Sequence, residues 1–337
     1  MRVRRLRAAL AALTAFATVA SAVACSPGSD ELLVYNAQHE SLTKEWIEAF
    51  TRETGIKVRY RQGGDTELGN QIIAEGTNSP ADVFLTENSP AMAAVERAGL
   101  LAAVDSQTVA QVPAQYRPAN NTWVGVAARS TVFVYNPEQL SSDQLPKSLL
   151  DLQNPEWRGR WGAPPAKADF QAIVAALLQL RGEAVTEQWL AAMKSDAVLY
   201  TDNIATLRAV NNGDIAGGVI YHYYWYRDQA KTKEMSGNTK LHYFKNEDPG
   251  AFVSLSGGGV LASSTKADRA QQFIRFVTGV QGQEIISDGN SFEYPVGSGV
   301  PANSALVPLD QLQAPAVNPS DLDAAAVTDL MTRAGLL

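Results

Sequence analysis

From Leu32 to Ala98 strand-like apolar runs alternate with helix-like stretches, and this alternation narrows the fold more than any other feature of the chain. Leu32-Leu33-Val34-Tyr35-Asn36 is the continuous apolar run of a strand buried on both faces of a parallel sheet. Leu42, Trp46, Ala49 and Phe50 then recur at helical spacing, with Ser41 placed to cap that helix and Gly55 to end it. Residues 56–60 alternate as a strand, 68–75 read as a helix, 81–85 as a strand and 90–98 as a helix. The order predicts a doubly wound α/β sheet, on which ligands bind beyond the carboxyl ends of the strands. Two polar residues fall there, His39 after the first strand and Glu87 after the third. Each also has a plainer reading, as a solvated loop histidine and as a carboxylate favoured in a first helical turn.

A second constraint is Val219-Ile220-Tyr221-His222-Tyr223-Tyr224-Trp225-Tyr226, four tyrosines, a tryptophan and a histidine in a chain that is 8% aromatic. Aromatic residues favour strands and fill cores, so a buried edge strand accounts for the run on composition alone. Adjacent side chains on a strand point to opposite faces, however, so Tyr223 and Tyr224 cannot both enter one core from a strand. The run follows Asn211-Asn212-Gly213-Asp214, where a βα connection would open onto a crevice. Two vicinal phenols facing a cleft are hard oxygen donors for a highly charged cation. With His39 and Glu87 they make one nitrogen and three anionic oxygens, a set suited to a trivalent ion.

The amino terminus reads as an export signal. Arg2, Arg4, Arg5 and Arg7 precede the apolar run Ala8 to Ala20, too short to span a bilayer, and Ala22-Val23-Ala24-Cys25 resembles a lipobox. Cleavage before Cys25 leaves that residue as a lipidated N-terminus on the tether 25–30; cleavage as an ordinary signal peptide would leave a free thiol. Cys25 is the only cysteine, which excludes disulfides and thiolate metal sites. Losing the four leader arginines takes the formal charge from −7 to −11, which argues against nucleic acid or anionic membranes as partners. The remaining chain is long for one core, so two lobes are expected.

Several segments together carry a family resemblance: Val34-Tyr35-Asn36-Ala37-Gln38-His39, Glu53-Thr54-Gly55-Ile56-Lys57-Val58, residues 79–87, Tyr223-Tyr224-Trp225-Tyr226, Asp248-Pro249-Gly250 and Glu293-Tyr294-Pro295. The chain resembles the periplasmic ferric-ion-binding proteins, the substrate-binding components of bacterial iron(III) ABC importers, over nearly its whole exported length. The resemblance implies a type II periplasmic-binding-protein clamp, each lobe a mixed sheet flanked by helices, joined by hinge strands near 131–135 and 251–258. Residues 257–259, three glycines, read as flexible. The lobes would be 31–131 with 254–303, and 132–253 with 304–337, behind a signal peptide at 1–24.

By the same resemblance Tyr223 and Tyr224 are phenolate ligands from one lobe, and His39 and Glu87 are ligands from the other. Two phenolates and a carboxylate neutralise iron(III), and the ion would hold the phenols deprotonated. The implied partner is an ABC permease with its cytoplasmic ATPase, approached by a monomer lipid-anchored at the outer face of the cytoplasmic membrane. Relatives often add a synergistic phosphate or carbonate, held by a Ser-Gly-Ala-like turn and two asparagines. Here Asn203 matches, but Lys167-Ala168-Asp169 replaces the turn and Tyr221 stands at the other asparagine position. Asp169 is expected to cap its helix and repel a second anion, so the anion site should be weak or absent, with Tyr221, water or carbonate filling the shell. Lys167 and Asp169 as a solvated pair, with Tyr221 in the core, is the competing reading. Asn88 is a further candidate for an additional ligand.

Readings from other classes remain. A clamp for a small oxyanion or organic acid would use Arg129 and Ser130. A purely structural surface lipoprotein would leave the cleft residues incidental. Against an enzyme, the sequence has no Ser-His-Asp arrangement, phosphate loop, paired catalytic acids or cofactor fingerprint.

Overall fold

The computed structural model describes residues 30–337 apart from Ser298, so the signal peptide, Cys25 and most of the tether lie outside the described residues. The chain opens as expected: β1 (Leu32–Asn36), α1 (Glu40–Thr54), β2 (Val58–Gln62), α2 (Asp65–Glu75), β3 (Val83–Leu85) and α3 (Ser89–Arg97). After α4 (Ser106–Gln111) come β4 (Val124–Tyr135), β5 (Trp161–Ala163), α5 (Ala168–Arg181), α6 (Glu183–Asp196), β6 (Val198–Leu199) and α7 (Asn203–Asn212). The remainder is β7 (Gly217–Tyr221), α8 (His222–Gln229), β8 (Lys240–His242), β9 (Val253–Val260), α9 (Ala267–Thr278), α10 (Val280–Asp288), β10 (Tyr294–Pro295) and α11 (Ala324–Arg333).

The strands run in the order β2-β1-β3-β9-β4-β7-β5-β6, with β10 and β8 also pairing with β4. Strands β1, β2 and β3 are parallel, whereas β9 is antiparallel to β3 and β4, so the sheet is mixed. Strand β4 carries the continuity. Its residues Val124 to Ser130 pair with β9, and from Thr131 to Tyr135 it pairs with β7 instead. One long strand therefore serves two sheet sections, each with its own core. On the β1–β3 side, Leu42, Trp46 and Phe50 of α1 pack with Phe273, Ile274 and Val277 of α9 on one face of the sheet, the Phe50 and Phe273 rings 5.2 Å apart between centroids. On the β5–β7 side, Phe133, Trp161, Phe170 and Trp189 pack with Val327, Leu330 and Met331 of α11.

Local signals explain most boundaries. Gly55 ends α1 with φ 72°, a left-handed conformation that glycine adopts without a Cβ penalty. The start of α1 differs from expectation: His39 is the N-cap, its carbonyl accepting the Thr43 N–H at 3.0 Å, so Ser41 lies within the first turn. The aromatic run is not one strand either. It straddles a strand-to-helix junction, with Tyr221 closing β7 and His222 opening α8.

The three glycines at 257–259 are packed inside β9 rather than free to flex. A Cβ on Gly258 would lie 2.8 Å from Val126 Cγ1 and 3.1 Å from Ile274 Cδ1, so the Val126 and Ile274 side chains pack against the sheet face at this point only because no side chain stands there. Gly258→Val is expected to cost about 1–3 kcal/mol through overpacking. The check is the urea midpoint of the iron-free variant beside that of the wild type.

Candidate metal centre

The polar residues singled out in the sequence gather at the junctions between strands and helices. His39 is the N-cap of α1 after β1, and Glu87 lies between β3 and α3. Tyr223 and Tyr224 are in the first turn of α8 after β7, Asp169 in the first turn of α5 after β5, and Asn203 opens α7 after β6. Each strand end aims its connection at the same crevice, the binding position of open α/β sheets. The crevice is a cleft of about 800 Å³ lined by His39, Asp65, Glu87, Lys167, Asp169 and Tyr224 among others.

Two successive helical residues are about 100° apart, which lets vicinal side chains share one side of a helix end as they cannot on a strand. The Tyr223 and Tyr224 rings accordingly lie 4.2 Å apart between centroids. Tyr223 Oη donates to Glu87 Oε1 at 2.8 Å and Tyr224 Oη to Asp169 Oδ2 at 3.0 Å. Tyr223 Oη also lies 3.4 Å from the same Asp169 oxygen. His39 Nε2 is 3.4 Å from Glu87 Oε1 and 3.2 Å from Glu293 Oε1. His39, Glu87, Tyr223, Tyr224 and Asp169 thus present a nitrogen and four oxygens to one point of the cleft. Among the described residues no three histidine, cysteine, aspartate or glutamate side chains form a metal-holding group by themselves.

Asp169 departs from its expected role. The N-cap of α5 is Lys167, and Asp169 does not cap the helix. Its carboxylate is buried and accepts from Asn88 Nδ2 at 3.0 Å and Asn203 Nδ2 at 2.9 Å besides the phenol. Asn203 does not cap α7; Asp202 does, through the Ala205 N–H at 2.7 Å, which frees the Asn203 amide for the cleft. Lys167 is exposed at the cleft wall, so the two do not make a solvated pair. Tyr221 is buried in the core, as the competing reading has it, and donates to Asn88 Oδ1 at 3.2 Å, its ring 6.4 Å from that of Tyr223 between centroids.

Five supporting residues have weaker sequence signals. Asp65 follows Gly63-Gly64 at the end of β2, the same kind of junction that marked His39 and Glu87, yet hydropathy alone places it on the exposed start of a helix. Glu293 and Arg129 are both fully buried and paired at 2.9 Å, while Gln38 and Ser256 complete the network behind His39. The pairing occupies Arg129 Nη2 and leaves its buried Nε and Nη1 without a hydrogen-bond partner among the described residues, while Ser130 Oγ turns to the Thr131 carbonyl.

Burial dominates the electrostatics. It pushes the Tyr223 and Tyr224 phenols well above their ordinary range, with the Asp169 and Glu87 charges adding to the effect. Asp169 rises to about 6 and Asp65 to about 8, in both cases first through desolvation and then through the charge of Glu87. A carboxyl raised in the folded state stabilises that state fully below its unfolded value and loses this contribution as pH rises through the folded one. The iron-free protein is therefore expected to lose stability from about pH 4 to about pH 8, by an amount that unfolding midpoints at pH 5 and pH 8 would register.

Fold and site together define a two-lobed α/β binding protein of the periplasmic clamp class. Residues 78–321 match the family of bacterial extracellular solute-binding proteins. The chain is 60% identical over 306 residues to the Fe(3+)-binding periplasmic protein of Serratia marcescens, covering 91% of this chain and 90% of that one. It is 35% identical to the major ferric iron-binding protein of Neisseria meningitidis serogroup B, over 95% of this chain and 98% of that one. Iron-bound HitA from Pseudomonas aeruginosa superposes with a TM-score of 0.84 at 41% identity, over 91% of this chain and 99% of that one. The chain belongs to the bacterial extracellular solute-binding proteins, in the branch of the periplasmic ferric-ion-binding proteins.

Proposed function

We propose that this protein captures iron(III) in the cleft and hands it to an ABC permease with its ATPase, with His39, Glu87, Tyr223 and Tyr224 as ligands. The observation that carries the ligand set is the convergence of the buried Tyr223 phenol and the half-buried Tyr224 phenol on the oxygens of Glu87 and Asp169. A phenol with its ordinary pKa near 10 costs about 4 kcal/mol to ionise at neutral pH, and burial makes each of these costlier. Only a nearby ion of high charge offsets that, and hard phenolate oxygens favour iron(III) over softer or divalent ions. Both the Serratia and the Neisseria relatives are iron(III) binders by name.

Asp169 joins them as a fifth donor in place of the synergistic anion. Its Oδ2 already lies beside both phenols, and Asn203 holds it there. The α5 N-terminus, whose free N–H groups would otherwise attract phosphate, acts on this carboxylate instead. The lobes that close on the ion are 31–131 with 254–303, and 132–253 with 304–337. The switch of β4 from β9 to β7 between Ser130 and Thr131 supports that boundary. Closure draws donors from both lobes to one ion, and the closed form is the one that the permease engages. The protein works outside the cytoplasm as a monomer, with Cys25 as its lipid anchor.

Purified protein is expected to carry iron by elemental analysis and a visible phenolate-to-iron band. Tyr223→Phe and Tyr224→Phe each weaken the band, His39→Ala and Glu87→Ala weaken binding but leave colour, and Asp169→Ala weakens binding and makes it respond to added phosphate. A double tyrosine variant that retains full colour and iron would move the site elsewhere. Wild-type loading should be the same with and without phosphate; a phosphate requirement would overturn the role of Asp169. For the anchor, Cys25→Ser should shift the protein from the membrane to the soluble fraction, and its retention on membranes would point to another attachment.

A further inference from the structure

Behind the donor set lies a carboxylate that touches none of the phenols yet grips the loop carrying Glu87. Asp65 opens α2 and is 5% exposed. Its Oδ1 accepts the Glu87 N–H at 2.8 Å, while its Oδ2 accepts the Asn88 N–H at 3.0 Å and Asn88 Nδ2 at 3.1 Å. Holding two consecutive amides fixes the backbone on both sides of the Glu87 Cα, and hence the direction in which its side chain leaves the chain. The second hydrogen of the Asn88 amide goes to Asp169 Oδ1 at 3.0 Å, and Asn88 Oδ1 accepts from Tyr221 and from Ser254 Oγ at 2.9 Å. One buried amide, with donors and acceptors all used, therefore joins Asp65 and the Glu87 loop to Asp169 on α5.

We propose that Asp65 is a positioning residue for iron capture: it holds Glu87 in its ligating place and, through Asn88, ties that place to Asp169. The inference rests on the reading of Glu87 as an iron ligand. Both carboxyl oxygens of the buried Asp65 are spent on the Glu87 loop and Asn88, directly beside the donors, which fits a part played in the site rather than in folding alone. A carboxylate accepts from both amides at once, whereas an asparagine in its place offers one acceptor and turns an NH₂ toward the second N–H. Asp65→Asn therefore loosens the Glu87 loop without touching the metal's own shell.

The test is a double-mutant cycle on iron affinity, measured by competition with citrate on the full exported chain. Asp65→Asn in the wild-type background should weaken binding about 10- to 100-fold, the range typical of residues that orient metal ligands. In the Glu87→Ala background the same substitution should change affinity by less than about twofold, because the side chain it positions is gone. The visible band of Asp65→Asn should keep its wavelength. Equal losses in both backgrounds would overturn the inference and leave a general electrostatic effect in its place. A displaced band would overturn it too, by putting Asp65 in the metal's shell. If Glu87→Ala alone leaves affinity unchanged, the ligand reading of Glu87 fails first and the inference falls with it. Should Asp65→Asn not fold, as judged by the unfolding midpoint of the iron-free protein, Asp65→Ser is carried through the same cycle and read the same way.

Discussion

The hydrogen bonds on the buried Asp169 carboxylate are the interaction on which the rest of the cleft depends. One oxygen takes Asn88, and the other takes Asn203 and Tyr224 with Tyr223 close by. A charge removed from water to this extent is tolerated only when its lone pairs are filled, so those partners are held as firmly as the carboxylate itself. Without it the two phenols would have no common acceptor. With it they lie side by side, their oxygens at 3.0 Å and 3.4 Å from one Asp169 oxygen.

The fold supplies the second ingredient by geometry. His39, Asp65, Asp169, Asn203 and Tyr223 come from five different strand-to-helix junctions, each delivering a side chain to the carboxyl edge of the sheet. Helix N-termini at that edge carry unpaired N–H groups and a positive dipole end, which eases the burial of so many carboxylates in one place. The long strand β4 makes the edge common to both sheet sections, because its partner changes from β9 to β7 in mid-strand. A clamp built on such a strand can bring donors from two cores together with little backbone rearrangement, since only the strands crossing the boundary need to bend.

A fully buried ion pair, Arg129 with Glu293, lies directly behind His39. Gln38 links the pair to the site by accepting the His39 N–H at 2.7 Å. The guanidinium carbon lies 5.9 Å from the centroid of the Tyr223 ring, where a positive charge eases ionisation of the phenol. Buried pairs of this kind contribute little net stability, because desolvation offsets their attraction. Here the arrangement faces the donors.

The sequence by itself determined the alternation of strands and helices, the strand ends at which His39 and Glu87 appear, and the pairing of vicinal tyrosines with them. Those features are local: hydropathy period, turn residues and nearest-neighbour chemistry fix them within a few residues. The family resemblance extended that reading to iron(III), and the matching relatives agree with it. Only the tertiary structure decided what depends on partners distant in sequence. Asp169 faces the phenols instead of capping its helix because Asn88, Asn203 and Tyr224 meet it from three other elements. The glycines of β9 serve close packing because Met92 and Thr86 crowd Gly257, Val126 and Ile274 crowd Gly258, and Leu101 crowds Gly259, a neighbourhood that no window of adjacent residues contains. Asp65 reads locally as an exposed helix start, and it becomes a buried clamp only when the loop after β3 folds over it. Propensity acts along the chain, whereas the desolvation and hydrogen-bond satisfaction that assign these side chains their work arise only when remote segments pack together.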